Sequence, residues 1–366
     1  MNGTLSAAEQ MALTLGALFE GKGYLPYKMS KFEEYDLYAR NKDFLISDSI
    51  ITFTDLSGKL MALKPDVTLS IAKNSKDRPW VQKVYYKENV YRISRGAQGY
   101  KEIMQLGLEA MGDVDDYCIL EILTLAEQSL SKISDNGVLE ISHLGIIKEL
   151  TDAMGIPLDR RDNLVKLISQ KNPHELTALC CDCGVAEEDI ELLRWITTTS
   201  GAPAKMLPLL RAKLAGKVSD ATLTQFETIL LALEGNVIVD FSVVDNIHYY
   251  NGFVFRGFIS GIPDPVLSGG QYDKLMKKLG RTAGAMGFAV YADLLQRLEQ
   301  KQEAYDVDVL LLYQQDTPLS QLQKAVRDFA AQGLSVSVQK VKPDSLRFRT
   351  LAQFNGSEVQ TIENDA

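Results

Sequence analysis

The sequence predicts an α+β fold: an antiparallel sheet flanked by helices, with a helical insertion and a small α/β unit at the C-terminal end. Three observations carry this expectation. Residues 81–112 hold two long extended runs joined by a glycine-bearing loop, the pattern of an antiparallel hairpin. Residues 144–233 turn almost wholly helical, with breaks at Pro157, Pro173, Gly201–Pro203 and Gly216. From residue 305 onward an apolar strand, a helix and a second strand follow one another, a βαβ order. With 366 residues, the chain has room for two or three domains and a sizeable core. The expected division is a core over 1–300, insertion included, and a truncated α/β unit over 305–366.

Ser6 and Glu9 form a capping box that opens a helix ending near Glu20, before Gly21-Lys22-Gly23. Phe32–Tyr38 reads as the approach to a loop, and Phe44–Phe53 alternates into a short strand. A turn at Thr54–Gly58 precedes a strand at Leu60–Leu63. Lys64-Pro65-Asp66-Val67-Thr68 then leads into a helix from Leu69 to Lys73, which Asp66 or Thr68 can cap. After the hairpin come a helix over Asp113–Lys132 and a strand over Val138–Ser142. Strand signals return at Val237–Val243 and His248–Ile259. Asp264–Gly270 reads as a turn, Gln271–Leu279 as a helix, Ala285–Val290 as a small-residue strand and Tyr291–Gln302 as a helix. In the last unit the strands are Val307–Tyr313 and Leu334–Val341, around a helix at Ser320–Gln332, with a weakly patterned tail.

Composition narrows the function classes. A net charge of −9 argues against a dedicated nucleic-acid binder, whose footprint is a basic patch. No segment approaches the roughly 18 apolar residues of a membrane span, so a cytoplasmic chain with no membrane partner is expected. Four cysteines, three of them in Cys180–Cys183, make no disulfide framework. Cys180 and Cys183 have metal-ligand spacing but no second pair, so structural thiols are expected and no metal.

The second strand of the hairpin has an unusual face. Met104, Leu106, Leu108 and Ala110 share one side, which is apolar. The other carries Gln105, Gly107 and Glu109, placing an amide and a carboxylate about 13 Å apart with a bare glycine between them. That arrangement suits the floor of a pocket for something small and polar. A solvated outer face fits the same spacing, and both readings stand at this point.

Five separated stretches, in order, resemble histidyl-tRNA synthetases over about residues 1–300. Lys64-Pro65-Asp66-Val67-Thr68 is similar to their Arg-Pro-Glu-Gly-Thr signature. Tyr91-Arg92 with Gln105-Leu106-Gly107-Leu108-Glu109 is similar to motif 2 of the class II aminoacyl-tRNA synthetase fold. Tyr249-Tyr250-Asn251 with Val254-Phe255 resembles the histidine-specific loop, while Gly269–Asp273 and Gly287-Phe288-Ala289 resemble the approach to motif 3 and its strand. The resemblance implies a class II synthetase-like fold and a histidine pocket. In it Glu109 accepts from an imidazole N–H, with Tyr250 at the other nitrogen and Tyr249 beside it. Gln105, Asp66 and Thr68 hold the α-ammonium and Arg92 the α-carboxylate. For Arg92 an ion pair with Glu88 or Glu102 is the structural alternative.

The departures from the synthetase pattern bear on activity. Ser94 stands where motif 2 has a glutamate that positions ATP, and Asp245 stands where an arginine opens the histidine loop. Tyr291 and Leu294 replace a glycine and the phosphate-clamping arginine of motif 3. Adenylyl transfer depends on cations set against developing charge, so its loss is implied, along with that of the tRNA-reading unit. A retained amino-acid pocket without the reaction resembles the regulatory subunits of ATP phosphoribosyltransferase, paralogues of the synthetases. That resemblance implies a non-catalytic chain with no cofactor that binds L-histidine as effector. It would dimerise through its N-terminal half and join a hetero-oligomer with a short-form catalytic subunit, in the first step of histidine biosynthesis; tRNA is not an expected partner. A divergent histidyl-tRNA synthetase and a free-standing histidine sensor are the alternatives.

Overall fold

The computed structural model describes residues 6–41, 50–93, 99–244, 249–295, 305–356 and 358–364. Two compact units divide the chain, one over residues 7–296 and one holding residues 297–366 with the first six.

The larger unit begins with α1 (Ala7–Glu20), β1 (Leu25–Pro26), β2 (Phe32–Glu34), α2 (Tyr35–Ala39), β3 (Thr52–Thr54), β4 (Leu60–Leu63) and α3 (Thr68–Asn74). The hairpin follows as β5 (Gln82–Ile93) and β6 (Tyr100–Gly112), then α4 (Asp116–Ile133) and β7 (Val138–His143). The insertion comprises α5 (Leu144–Ala153), α6 (Leu158–Ser169), α7 (Pro173–Asp182), α8 (Glu187–Thr198), β8 (Ser200–Gly201), α9 (Pro203–Leu214) and α10 (Asp220–Ala232). The unit closes with β9 (Val237–Asp240), β10 (Phe253–Phe258), β11 (Leu267–Gln271), α11 (Asp273–Lys278), β12 (Gly284–Tyr291) and α12 (Ala292–Leu295).

Nine strands form one sheet in the order β1-β5-β6-β12-β11-β10-β7-β9-β8, and its long central pairs are all antiparallel. The apolar face of β6 behaves as the alternation predicts. Leu106, Leu108 and Ala110 are buried in the main core with α1, α4 and the insertion helices. On the opposite face a second cluster joins Tyr38, Ala62, Leu69, Tyr86, Tyr249 and Tyr272, beside a small sheet ordered β2-β4-β3. Gln105, Gly107 and Glu109 are buried too, so the solvated-face reading does not hold.

Some expectations need correction. Phe32–Tyr38 contains a strand and a short helix, β2 and α2, rather than a loop approach. Ser268-Gly269-Gly270 lies inside β11, in the middle of the sheet, rather than in a turn. Its glycines are required by crowding: a Cβ on Gly270 would stand 2.7 Å from the Tyr250 ring. Packing thus overrides the low strand preference of glycine.

In the smaller unit, β13 (Val307–Tyr313), α13 (Leu319–Ala331) and β14 (Val336–Gln339) form the expected parallel βαβ. The tail read as weakly patterned forms two more strands, β15 (Phe348–Phe354) and β16 (Val359–Asn364), giving a sheet ordered β14-β13-β15-β16. β16 escapes a pattern search because every residue of it is exposed, so no alternation marks it. Among the described residues no helix is long and apolar enough to cross a membrane.

Candidate functional site

Cross-strand pairs in an antiparallel sheet put their side chains on the same face, so the register lays out the site floor row by row. One row runs Tyr86, Gly107, Ala289, Ser268, Arg256, Glu140 from β5 to β7. The next runs Val84, Glu109, Gly287, Gly270, Val254, Ser142. The middle of both rows is small residues, and above them lies a cavity of about 530 Å³. Asp66, Thr68, Gln105, Glu109, Tyr249 and Tyr250 all line it, so six of the seven residues singled out in the sequence come together.

Glu109 is 1 % exposed and leans across Gly287, where any Cβ would collide with its carboxylate. Its Oε1 accepts from Thr68 Oγ1 at 2.6 Å and its Oε2 from the Tyr272 hydroxyl at 2.6 Å. Burial pushes this carboxyl up to about 8; the two hydroxyl donors pull it down and nearby Asp66 adds to the rise. The Tyr250 ring lies over Gly270, on the far side of Gly287 from β6, so Glu109 and Tyr250 flank the same small floor. Burial raises the phenols of Tyr86, Tyr249, Tyr250 and Tyr272 well above the ordinary range, keeping all four as neutral hydroxyls.

Asp66 enters from the segment ahead of α3. Its Oδ1 accepts from Leu69 N at 2.8 Å, so it both caps that helix and faces the cavity. Burial raises its carboxyl, against the Leu69 N–H and the charge of Arg92. The loop bearing Tyr249 and Tyr250 is fixed by a reciprocal pair: Asn251 Nδ2 donates to Asp273 Oδ2 at 2.9 Å, and Asp273 N donates to Asn251 Oδ1 at 2.8 Å.

Arg92 is the exception among the seven, since it does not line the cavity. Its Nε donates to the Pro65 carbonyl at 3.1 Å, and its buried Nη2 has no hydrogen-bond partner among the described residues. The alternative ion pairs are not formed: Glu88 pairs with the fully buried Lys64, and Glu102 accepts from Asn89 and Tyr91. Ser94 and Asp245 lie outside the described residues. Tyr291 also lines the cavity, with its hydroxyl 2.7 Å from Ser268 Oγ, and Leu294 packs against the main core.

Sequence reading missed Tyr86, Tyr272, Ser268 and Arg256 as cavity residues. Tyr86 was legible in principle: pairing β5 with β6 sets it opposite Gly107. Gly107 is then explained differently from a space kept for ligand. A Cβ there would come within 2.5 Å of the Tyr86 ring and hydroxyl, so the glycine admits the tyrosine, and the tyrosine walls the cavity.

A family model described as histidyl-tRNA synthetase matches residues 3–295, most of the chain. The chain belongs to that family. A curated relative from Clostridium botulinum, named ATP phosphoribosyltransferase regulatory subunit, is 28% identical over 319 residues, covering 79% of this chain and 74% of its own. A solved structure from Bacillus halodurans, titled ATP phosphoribosyltransferase regulatory subunit/histidyl-tRNA synthetase, matches with a TM-score of 0.74 at 24% identity, covering 93% and 91% of the two chains. A chain of the ATP phosphoribosyl transferase complex from Thermotoga maritima matches with a TM-score of 0.63 at 19% identity, covering 79% of this chain and 98% of that one. These similarities establish a synthetase-like α+β fold for this family member.

Proposed function

We propose that this chain is a regulatory subunit of ATP phosphoribosyltransferase that binds L-histidine in the cavity above β6, β12 and β11. The observation that carries the reading is that buried Glu109, leaning over Gly287, and Tyr250, over the neighbouring Gly270, border one cavity. An imidazole is flat and offers two nitrogens on opposite edges. A carboxylate on one side and a hydroxyl on the other match it, and Gly287 and Gly270 make the room in which those two side chains lie. Asp66, Thr68 and Gln105 border the same cavity with acceptor oxygens for an ammonium.

Catalysis would lie with a short-form partner. The names of the relatives support this, and so does the chemistry of this chain. Where a synthetase needs a phosphate-directed arginine, Leu294 packs against the core, and Tyr291, in the place of a glycine, bonds to Ser268. Histidine would favour the arrangement of this chain that holds its partner inactive, and a coupling of about 1–3 kcal/mol suffices for feedback. Dimerisation and assembly into a hetero-oligomer belong to the same proposal.

The test uses the purified full-length chain. It should bind histidine by calorimetry, show no histidine-dependent ATP–pyrophosphate exchange, and confer histidine-sensitive activity on a short-form phosphoribosyltransferase. Clear exchange would instead support a synthetase, and histidine binding without any effect on the partner would support a free-standing sensor.

A further inference from the structure

One charged residue of the cavity has no part in the proposal so far. Among the described residues lining the cavity, Arg256 is the sole cation. It sits in the Gly107 row, three strand spacings from β6, about 14 Å across the floor from the Gly107 end. Its neighbour across β11 is Ser268, whose Oγ is 2.7 Å from the Tyr291 hydroxyl, and Tyr291 in turn stands opposite Gln105 on β6. The cavity therefore has acceptors at one end, Glu109, Asp66 and the Gln105 carbonyl, and a border of donors along another side, running Tyr291, Ser268, Arg256.

Arg256 is partly withdrawn from water. Burial pulls its guanidinium down from the ordinary value, while Glu140 opposite it and Tyr291 beside it act the other way. Glu140 is a half-buried carboxylate on β7, directly across from Arg256. A guanidinium presents its N–H donors in a planar fork that matches a carboxylate. A second carboxylate arriving from the cavity side would meet a desolvated cation, where charge-assisted bonds are strongest. Arg92 offers a poorer partner: it is turned to the Pro65 carbonyl and lies off the cavity wall.

With the imidazole between Glu109 and Tyr250, the adjacent row of Ala289 and Ser268 is where the rest of an amino acid would lie. We infer that Arg256, with the Ser268 and Tyr291 hydroxyls, takes the carboxylate of the bound amino acid. Arg92 then acts as a positioning residue that holds the Pro65–Asp66 segment. This inference rests on the cavity being a histidine site.

Calorimetry with histidine and histidinamide tests it, since only histidine has a free carboxylate. Wild type should favour histidine, and Arg256→Gln should erase at least about tenfold of that preference. Arg92→Gln should weaken both compounds in the same proportion. Should Arg256→Gln fail to fold with the Glu140 charge left opposite it, the double variant Arg256→Gln/Glu140→Gln carries the same comparison. A preference that survives the loss of Arg256 overturns the inference and leaves the histidine site intact. Failure of wild type to bind either compound overturns the histidine site, and the inference with it.

Discussion

Glu109 and His143 are buried ionisable groups shifted in opposite senses, and each sets a pH dependence. The Glu109 carboxyl is pushed up to about 8, so at neutral pH most empty chains hold a proton there. A neutral imidazole donating an N–H needs the ionised carboxylate. Histidine affinity should therefore rise with pH between about 6.5 and 8, and Glu109→Gln should flatten that rise and remove most of the affinity. A flat profile in wild type would show that the proton is not displaced. His143 caps α5, its Nδ1 accepting from Ile146 N at 3.3 Å, and its ring packs 4.7 Å from Phe253. Burial lowers it to about 4. A group depressed in the folded state stabilises fully above its unfolded value near 6.5, and that stability is lost as pH falls toward 4. The contribution is on the order of 3 kcal/mol. His143→Asn, which retains a capping oxygen, should unfold with a weaker dependence on pH across that window than wild type. Thermal scans at matched pH values read the difference.

At the level of the element, the site depends on strands thinned at chosen positions. Gly107, Gly270 and Gly287 lie on three neighbouring strands, and each makes room for a named side chain: Tyr86, Tyr250 and Glu109. Gly107→Ala should drive the Tyr86 ring toward the cavity. Because the same Cβ would also collide with the Phe288 carbonyl of β12, it should cost about 3 kcal/mol of stability or more and reduce histidine affinity. Unchanged affinity with lowered stability would place Tyr86 outside the binding surface. These strands also mark where sequence reasoning succeeds and fails. β6 was legible because its apolar face alternates cleanly over Met104, Leu106, Leu108 and Ala110. β11 was misread because Ser268-Gly269-Gly270 has turn chemistry, and its strand state comes from the ladders to β10 and β12 and the rings packed over it. The cavity-facing roles of Arg256 and Ser268 had no local signal at all. They follow from the register of β10 with β7 and of β12 with β6, strands more than a hundred residues earlier, with β11 held between β10 and β12, and a single sequence does not specify that register.

Across the whole molecule, every described residue lining the cavity falls between Asp66 and Tyr291, inside the larger unit with its two cores. A chain ended after Leu295 should therefore bind histidine with unchanged affinity, while its effect on a catalytic partner tests what the smaller unit adds. The larger unit was readable because its motifs are spaced through the sequence in order. The smaller unit was readable only as far as β14: β16 is exposed throughout, and β15 buries Leu351 and Ala352 side by side, so neither shows a clean alternation. One feature described above also sets how occupancy could be felt at a distance. The two oxygens of Glu109 hold Thr68, where α3 begins, and Tyr272, just ahead of α11. At the other end of the pair, Arg281 Nη2 donates to the Lys73 carbonyl at 3.2 Å. α3 and α11 thus form a short strut, about 10 Å long, pinned at the cavity and again near the exposed Lys73. A ligand that claims the carboxylate loads one end of that strut. Amide exchange around Lys73 and Arg281 should then change on histidine addition, although neither residue can touch the ligand.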